Sequence, residues 1–561
     1  GVNDGVFPVH YGEDGLLNDK ERNFLKNCGL PLGPDSRFKT FQERFFFYLA
    51  LTRADEYLHI TWSLADEGGE ALMPSPWVGL LVNRGYVKAE SDTGTITVKN
   101  RADYLVNARA ALHFLPSALR SAKDGERIDD IWWALYDWAL LNGYDDSVHT
   151  IGAGLFYNSR AQALSKGLIE ALFLKNKTLR GSVTLLEAYR KCPFAFFAKY
   201  GLKLKERQEY DFAAPDLGTL VHAVLRCIGE RLLEEGRPWR ELKDDEILSL
   251  CTVETERAAA EAANNILMSD AYFRQIKNRV VATLVRTVRQ MRDFSEGSEF
   301  SVRALEQPFG TKGAWKGLSF NLPDGVKVEL VGQIDRVDTL ELDGRTFILI
   351  VDYKSGKKSI TLPEVYSGLE LQLFLYMAVA RRNLGSKAVP AGAVYCRVRN
   401  DVQRCSAEPT AAEKERAYIK AGQLSGFYLN DSNVVRALDD CTMEGRAASP
   451  YSGLKINNDG TLKKAANVSD EAEWYRLLRL VEAAACRSAS ELTGGCIDIY
   501  PARWGSSNEH KACDYCPYAA LCRFDVTAED GNSWNYLGNL SIDDLFPDTV
   551  IVKDGGQDGV D

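Results

Sequence analysis

Residues 329–358 read ELVGQIDRVDTLELDGRTFILIVDYKSGKK, and no other stretch limits the fold so tightly. Phe347 to Val351 is an unbroken apolar run bounded by polar and turn-forming residues, the pattern of a strand buried on both faces. The run ends in Asp352-Tyr353-Lys354. Side chains alternate along a strand, so Asp352 and Lys354 share a face. An earlier strand-like stretch, Val328 to Val337, carries Asp335, and Asp343-Gly344 between the two is a hairpin turn signal. Two carboxylates and an amine then converge at one edge of a sheet. Such a set can hold a divalent cation and position a water for attack on a phosphodiester. An Asp-x-Lys at a strand end is on its own an ordinary solvated turn, so its surroundings decide. Leu371 to Tyr376 follows as an apolar helical stretch, with Gln372 and Tyr376 four apart on one face.

A chain of 561 residues has room for two to four domains with ordinary cores. No apolar stretch approaches the length of a membrane span and no secretory signal is visible, which predicts a cytoplasmic chain with no membrane partner. It begins Gly1-Val2-Asn3 without methionine and reads as a piece of a longer protein. The net charge of −10 argues against attachment to DNA by bulk charge but leaves room for a local basic channel. Lys199, Lys203, Lys205 and Arg207 form one basic cluster, and Lys354, Lys357 and Lys358 another; either can equally be a solvated face. Asp543 to Asp561 is acidic and glycine-rich, which predicts a disordered tail.

Of the 12 cysteines, Cys28, Cys227, Cys251, Cys396, Cys405, Cys441, Cys486 and Cys496 read as small core residues. Cys513, Cys516 and Cys522 form a local group that lacks a fourth ligand. Spacing favours a zinc ion completed by His510 and would never by itself pair the group with distant Cys192. His222, four residues after Gly218 on a helix, is either a packed histidine or a ligand.

The motifs G-x-x-D-x-x-D (Gly332, Asp335, Asp338), D-Y-K-S-G (from Asp352) and Q-x-x-x-Y (Gln372, Tyr376) resemble the RecB-type nucleases of the PD-(D/E)XK superfamily. The segments SVTLLEAY and KCPFAFFAKYGLKLKER, with the late ACDYCPYAALCRFD, are similar to the two cysteine segments of the AddB family. These are the B subunits of bacterial ATP-dependent helicase–nucleases that process DNA ends. The resemblance covers nearly the whole chain and matches that family's C-terminal half. It implies a [4Fe-4S] cluster on Cys192, Cys513, Cys516 and Cys522, a staple across several hundred residues. It also implies that His222, Asp335, Asp352 and the backbone carbonyl of Tyr353 hold Mg²⁺, with Mn²⁺ tolerated. Lys354 would act on the attacking water, with Gln372 and Tyr376 steadying the site.

The expected fold is α/β: a PD-(D/E)XK nuclease core, a mixed sheet flanked by helices, with an iron–sulfur staple. A mostly helical remnant of a superfamily 1 helicase domain precedes it. The expected divisions are 1–180 for the helicase remnant, 181–527 for the nuclease and 528–561 for an acidic tail. Residues 43–54 resemble helicase motif VI, which makes Arg53, then Arg44, the candidate for facing nucleotide phosphates. No G-x-x-x-x-G-K-[ST] occurs, so this chain alone is not expected to hydrolyse ATP. Trp132, Trp133 and Trp138 are expected in a helical core, and residues 400–480 as a polar helical insertion. The implied activity is metal-dependent exonuclease cleavage of a single-stranded DNA end during recombinational repair, in a heterodimer with an AddA-like subunit. Two other readings compete. A non-catalytic strand-guiding module is disfavoured by intact Asp335, Asp352 and Lys354, and a free-standing RecB-like exonuclease by the motif VI stretch.

Overall fold

The computed structural model describes residues 1–561 apart from 13–16, 66–70, 90–104, 158–161, 206–213, 262–265, 312–313, 357, 359, 399–409, 443–447, 459–461, 463–467, 506–508, 527–532 and 538–561. Arg207, Lys357, Cys405 and the acidic stretch from Asp543 therefore lie outside the described residues. The chain divides into two compact units, Gly1–Phe156 and Tyr157–Asp561.

The first unit is helical. Its helices Ala108–Lys123, Asp130–Leu141 and Asp145–Leu155 bury Leu112, Leu115, Leu119, Trp132 and Val148 together. Of the three tryptophans expected in this core, only Trp132 enters it; Trp133 is 48% and Trp138 40% exposed. Successive helical residues point about 100° apart, and Trp133 falls on the side of its helix turned away from the face where Trp132 is buried. Arg53 is exposed at the C-terminal end of helix Ser36–Thr52, and Arg44 on the same helix lies over Phe41 and Trp77, 5.5 Å from each ring.

The second unit is built on a mixed six-stranded sheet. In chain order its strands are β1 (Ser301–Phe309), β2 (Gly332–Leu342), β3 (Arg345–Lys354), β4 (Ala388–Arg397), β5 (Ser425–Leu429) and β6 (Val468–Ser469), and they lie side by side in that sequence. The β1–β2, β2–β3 and β4–β5 pairs are antiparallel; β3–β4 and β5–β6 are parallel. The expected hairpin is β2–β3. Asp343 and Gly344 turn it at φ +51° and +73°, the left-handed pair that matches strand twist. The stretch expected as one strand from Val328 to Val337 is two. Lys327–Leu330 pairs with Thr178–Gly181 and Ser319–Asn321 in a separate sheet, and Val331 N–H donates to the Gly181 carbonyl at 3.0 Å before β2 begins.

The main helices of this unit are α1 (Val183–Lys191), α2 (Ala214–Glu234), α3 (Ala271–Glu296), α4 (Gln372–Leu384) and α5 (Glu471–Thr493). In α2, Leu220, Val221, Val224, Leu225, Ile228 and Leu232 recur at helical spacing and all are buried. Helix α4 lies in the connection between parallel strands β3 and β4, and packs against both strands and against α5. The 400–480 region is not a purely helical insertion. It supplies β5 and β6 at the sheet edge: Ser425 to Tyr428 of β5 pair with β4, and Tyr428 and Leu429 pair with β6, with Phe427, Tyr428 and Leu429 buried. Residues 535–536, within the expected tail, instead pair with Ala502–Trp504 in a small sheet, and Leu537 is buried.

Candidate active site

Asp335 enters from the middle of β2, and Asp352 and Lys354 from the C-terminal end of β3. Asp352 is 0% and Asp335 8% exposed. Lys354 Nζ lies 2.5 Å from Asp352 Oδ2, and nothing else among the described residues donates to either Asp352 oxygen in good hydrogen-bond geometry. Asp335 Oδ2 accepts from the Tyr353 N–H at 2.9 Å and lies 3.5 Å from His222 Nδ1. His222 reaches in from α2, and its Nε2 contacts the Tyr353 carbonyl at 3.1 Å. The histidine is therefore at the site, beside the backbone oxygen singled out from the motif.

The electrostatics follow from crowding carboxylates out of water. Burial, then the neighbouring Asp352 charge, pushes the Asp335 carboxyl up to about 7. Burial raises Asp352 as well, against the opposing pull of Lys354. For His222, burial alone would lower the pKa, but Glu306 and Asp335 outweigh it and the net direction is up. A divalent cation would reverse the penalty on both carboxylates.

A chain of side chains extends from this centre. Lys354 Nζ donates to Gln372 Oε1 at 3.2 Å, and Gln372 Nε2 donates to Tyr376 Oη at 3.0 Å. Both lie on α4, whose first turn has no side-chain cap of its own. Instead Glu187 from α1, buried, accepts the N–H groups of Leu371 (2.8 Å) and Gln372 (3.0 Å). Burial raises Glu187 to about 7, helped by the charge of Glu370.

Sequence reasoning missed Glu306. It lies on β1 opposite Asp335, since Leu305 pairs with Arg336 and Gln307 with Ile334. Its Oε1 is 3.7 Å from His222 Nδ1, and one ligand atom each from His222, Glu306 and Asp335 fall within 4.8 Å of one another. Glu306 takes φ +41°, a left-handed conformation rare for a non-glycine residue, and such outliers concentrate at functional sites. Tyr395 and Arg397 on β4 were also missed; they pair in register with Asp352 and Lys354.

Cys192 follows α1, and Cys513, Cys516 and Cys522 lie in the late segment. These four thiols form no disulfide and sit close enough to act on one another's charge. Burial first, then Cys192, Cys516 and Cys522, push Cys513 up to about 12; burial raises Cys192 to about 11, with Cys516 adding to it. The two segments are tied by the Tyr518 hydroxyl, which donates to the Leu204 carbonyl at 3.2 Å. His510 packs on Trp504. Of the cysteines expected in the core, Cys251 and Cys396 are buried, whereas Cys28 is exposed and Cys227, Cys441, Cys486 and Cys496 are half-buried.

Residues 180–523 match the PD-(D/E)XK nuclease superfamily, and residues 97–148 match the fifth domain of ATP-dependent helicase/deoxyribonuclease AddB. The chain is 35% identical over 97% of its length to the B subunit of the ATP-dependent helicase/deoxyribonuclease of Desulforudis audaxviator (strain MP104C), covering 47% of that protein. It is 33% identical over 99% of its length to the protein of the same name in Bacillus thuringiensis (strain Al Hakam), covering 48%. A third protein of that name, from Pelotomaculum thermopropionicum, is 32% identical over 96% of the chain, which covers 48% of it. The chain spans about half the length of the curated relatives it matches. Among the described residues no helix is long and apolar enough to cross a membrane.

Proposed function

Because the chain belongs to the PD-(D/E)XK nuclease superfamily, we propose that it hydrolyses phosphodiester bonds of single-stranded DNA at the Asp335–Asp352–Lys354 centre. One observation carries the reading: Asp352 is fully buried, yet its carboxylate has Lys354 as its sole partner among the described residues. A buried carboxylate so poorly satisfied is costly unless a cation joins it. Asp335, Asp352 and His222, with the Tyr353 carbonyl, are the donors for that cation, and Glu306 is placed to join them. Oxygen ligands with one imidazole suit Mg²⁺ and tolerate Mn²⁺. When bound, the cation would polarise the phosphate and lower the pKa of a water.

The protein's own groups do the rest. Lys354, held between Asp352 and Gln372, presents an ammonium that offsets charge building on the phosphate oxygens. Gln372 orients that ammonium through its Oε1, and Tyr376 holds the Gln372 amide in place. Glu187 fixes the end of α4 from which Gln372 projects.

The four thiols support a [4Fe-4S] cluster held by Cys192, Cys513, Cys516 and Cys522. Cys192, Cys513 and Cys516, raised above all by burial, stay protonated until a cationic centre ionises them, and such a centre is what thiolate ligation supplies. Joining residues more than three hundred apart would limit the unfolded chain. The likeness to helicase/deoxyribonuclease B subunits further supports a cytoplasmic role in processing DNA ends for recombinational repair, as an exonuclease partnered with an AddA-like helicase–nuclease subunit. On this reading Arg53 belongs to a helicase remnant within residues 1–180, the nuclease spans 181–527 and the rest is a tail.

The test is cleavage of a single-stranded oligonucleotide with Mg²⁺ by the intact protein and by Asp352→Ala. Losing the cation's several kcal/mol of stabilisation predicts a drop of roughly 10³-fold or more with the fold unchanged by circular dichroism. Near-normal cleavage by the variant contradicts the assignment. For the thiols, anaerobic protein should carry iron and sulfide, and Cys192→Ser should lose both; stoichiometric zinc without iron in the unmutated protein contradicts the cluster.

A further inference from the structure

Beside Lys354 the sheet edge opens into a pocket of about 540 Å³, inside the range of roughly 300–1,000 Å³ typical of small-molecule sites and far larger than an ion needs. It runs from the end of β3 across β4 to β5 and the turn before it. Lys354, Lys358, Arg397 and Lys420 all line it, and among the described residues no carboxylate does. That is a local concentration of positive charge in a chain of net charge −10. Lys354 and Lys358 are matched from behind the pocket wall, the first by Asp352 and the second by Glu370 at 2.7 Å. Arg397 pairs in register with Lys354 on the adjacent parallel strand, so their side chains leave the same face. Lys420 is exposed and makes no ion pair with a described residue. Gln423 and Ser425 add polar groups to the wall.

We propose that this pocket is a subsite for the DNA strand itself, holding the nucleotide next to the scissile bond by its phosphodiester. The strand then leaves the catalytic centre along β3, β4 and β5. The assignment rests on the reading of Lys354 as part of the cleavage centre, because Lys354 lines the pocket and also lies against Asp352. Specificity for a base is not required: cations that contact phosphate position a strand without reading sequence. The missed sequence signal is the parallel register, which sets Arg397 beside Lys354 although 43 positions separate them.

The test separates the subsite from the cleavage reading. Binding of a single-stranded oligonucleotide is titrated against salt in the intact protein carrying Asp352→Asn, where no cutting interferes. Adding Arg397→Gln and Lys420→Gln should flatten the log K against log salt slope by about 0.7, one phosphate's share for a single strand. Lys420→Gln alone, at an exposed position, must flatten it in the same direction, which keeps the test open if Arg397→Gln misfolds. An unchanged slope in both overturns the proposal. In the cleaving protein, one neutral methylphosphonate is moved along the substrate. It should slow cutting at one position adjacent to the scissile bond, and that sensitivity should vanish in Lys420→Gln. If the variant keeps the same profile and loses only competition by a deoxynucleoside 5′-monophosphate, the pocket takes released product and the proposal fails. If Asp352→Ala still cleaves, the catalytic assignment fails whatever the slope does, so the two failures are distinct.

Discussion

Asp335 and Asp338 stand three residues apart on β2, and both are deeply buried, at 8% and 2% exposure. Strand alternation sends them to opposite faces of the sheet. Asp338 meets the Arg336 guanidinium, which donates to its two oxygens at 2.7–3.0 Å, and that guanidinium also lies over the Trp239 ring at 5.3 Å. Asp335 meets one backbone N–H, a histidine and two more carboxylates. Both positions bury a carboxylate; only one of them brings its own countercharge. The satisfied face is a structural lock, and the face short of positive charge is the one where, on the proposed function, an external cation would bind. Glu187 falls between the two, being buried but held by two helix N–H groups.

The largest difference should appear in stability. Asp338→Ala strands a buried guanidinium and should cost about 3–5 kcal/mol in urea unfolding. Asp335→Asn should cost nothing in metal-free protein, since it relieves a crowded cluster. Equal losses in the two variants would break the comparison. Glu187→Ala should cost about 1–3 kcal/mol, because two buried N–H groups lose their acceptor, while Glu187→Gln keeps an accepting oxygen and should recover most of it. A smaller and graded effect is expected with pH. The Asp335 carboxyl, pushed up to about 7, holds a proton that the unfolded chain, near 3.9, has released. Without divalent metal, stability should therefore fall as pH rises from about 4 to about 7. Asp335→Asn should make that decline shallower, as read by thermal unfolding across the pH range, with the remainder carried by Asp352 and Glu187, whose carboxyls burial also raises.

What could be read beforehand depended on distance along the chain. The β2–β3 hairpin, Asp352 beside Lys354, and Gln372 beside Tyr376 all follow from local period and turn chemistry. The α/β class and the nuclease core followed from the same motifs. Glu306 did not, because its place opposite Asp335 is a matter of strand register with no turn signal to set it. Tyr395 and Arg397 reach the site through a parallel crossover, which no spacing reveals. Glu187 resembled part of a cysteine motif, while its hydrogen bonds go to a helix nearly two hundred residues away. Trp133 and Trp138 were misplaced because apolar composition does not tell which side of a helix is buried. Val331 was read as mid-strand, although its N–H is taken by a different sheet.

The most direct test of the contrast between the two faces is a calorimetric titration of Mn²⁺ into metal-depleted intact protein at pH 8. The wild-type chain should take up the ion at a strong site, Asp335→Asn and Asp352→Asn should lose it, and Lys420→Gln should keep it. Uptake by Asp335→Asn and Asp352→Asn equal to that of wild type, or no uptake by wild type, would contradict the account.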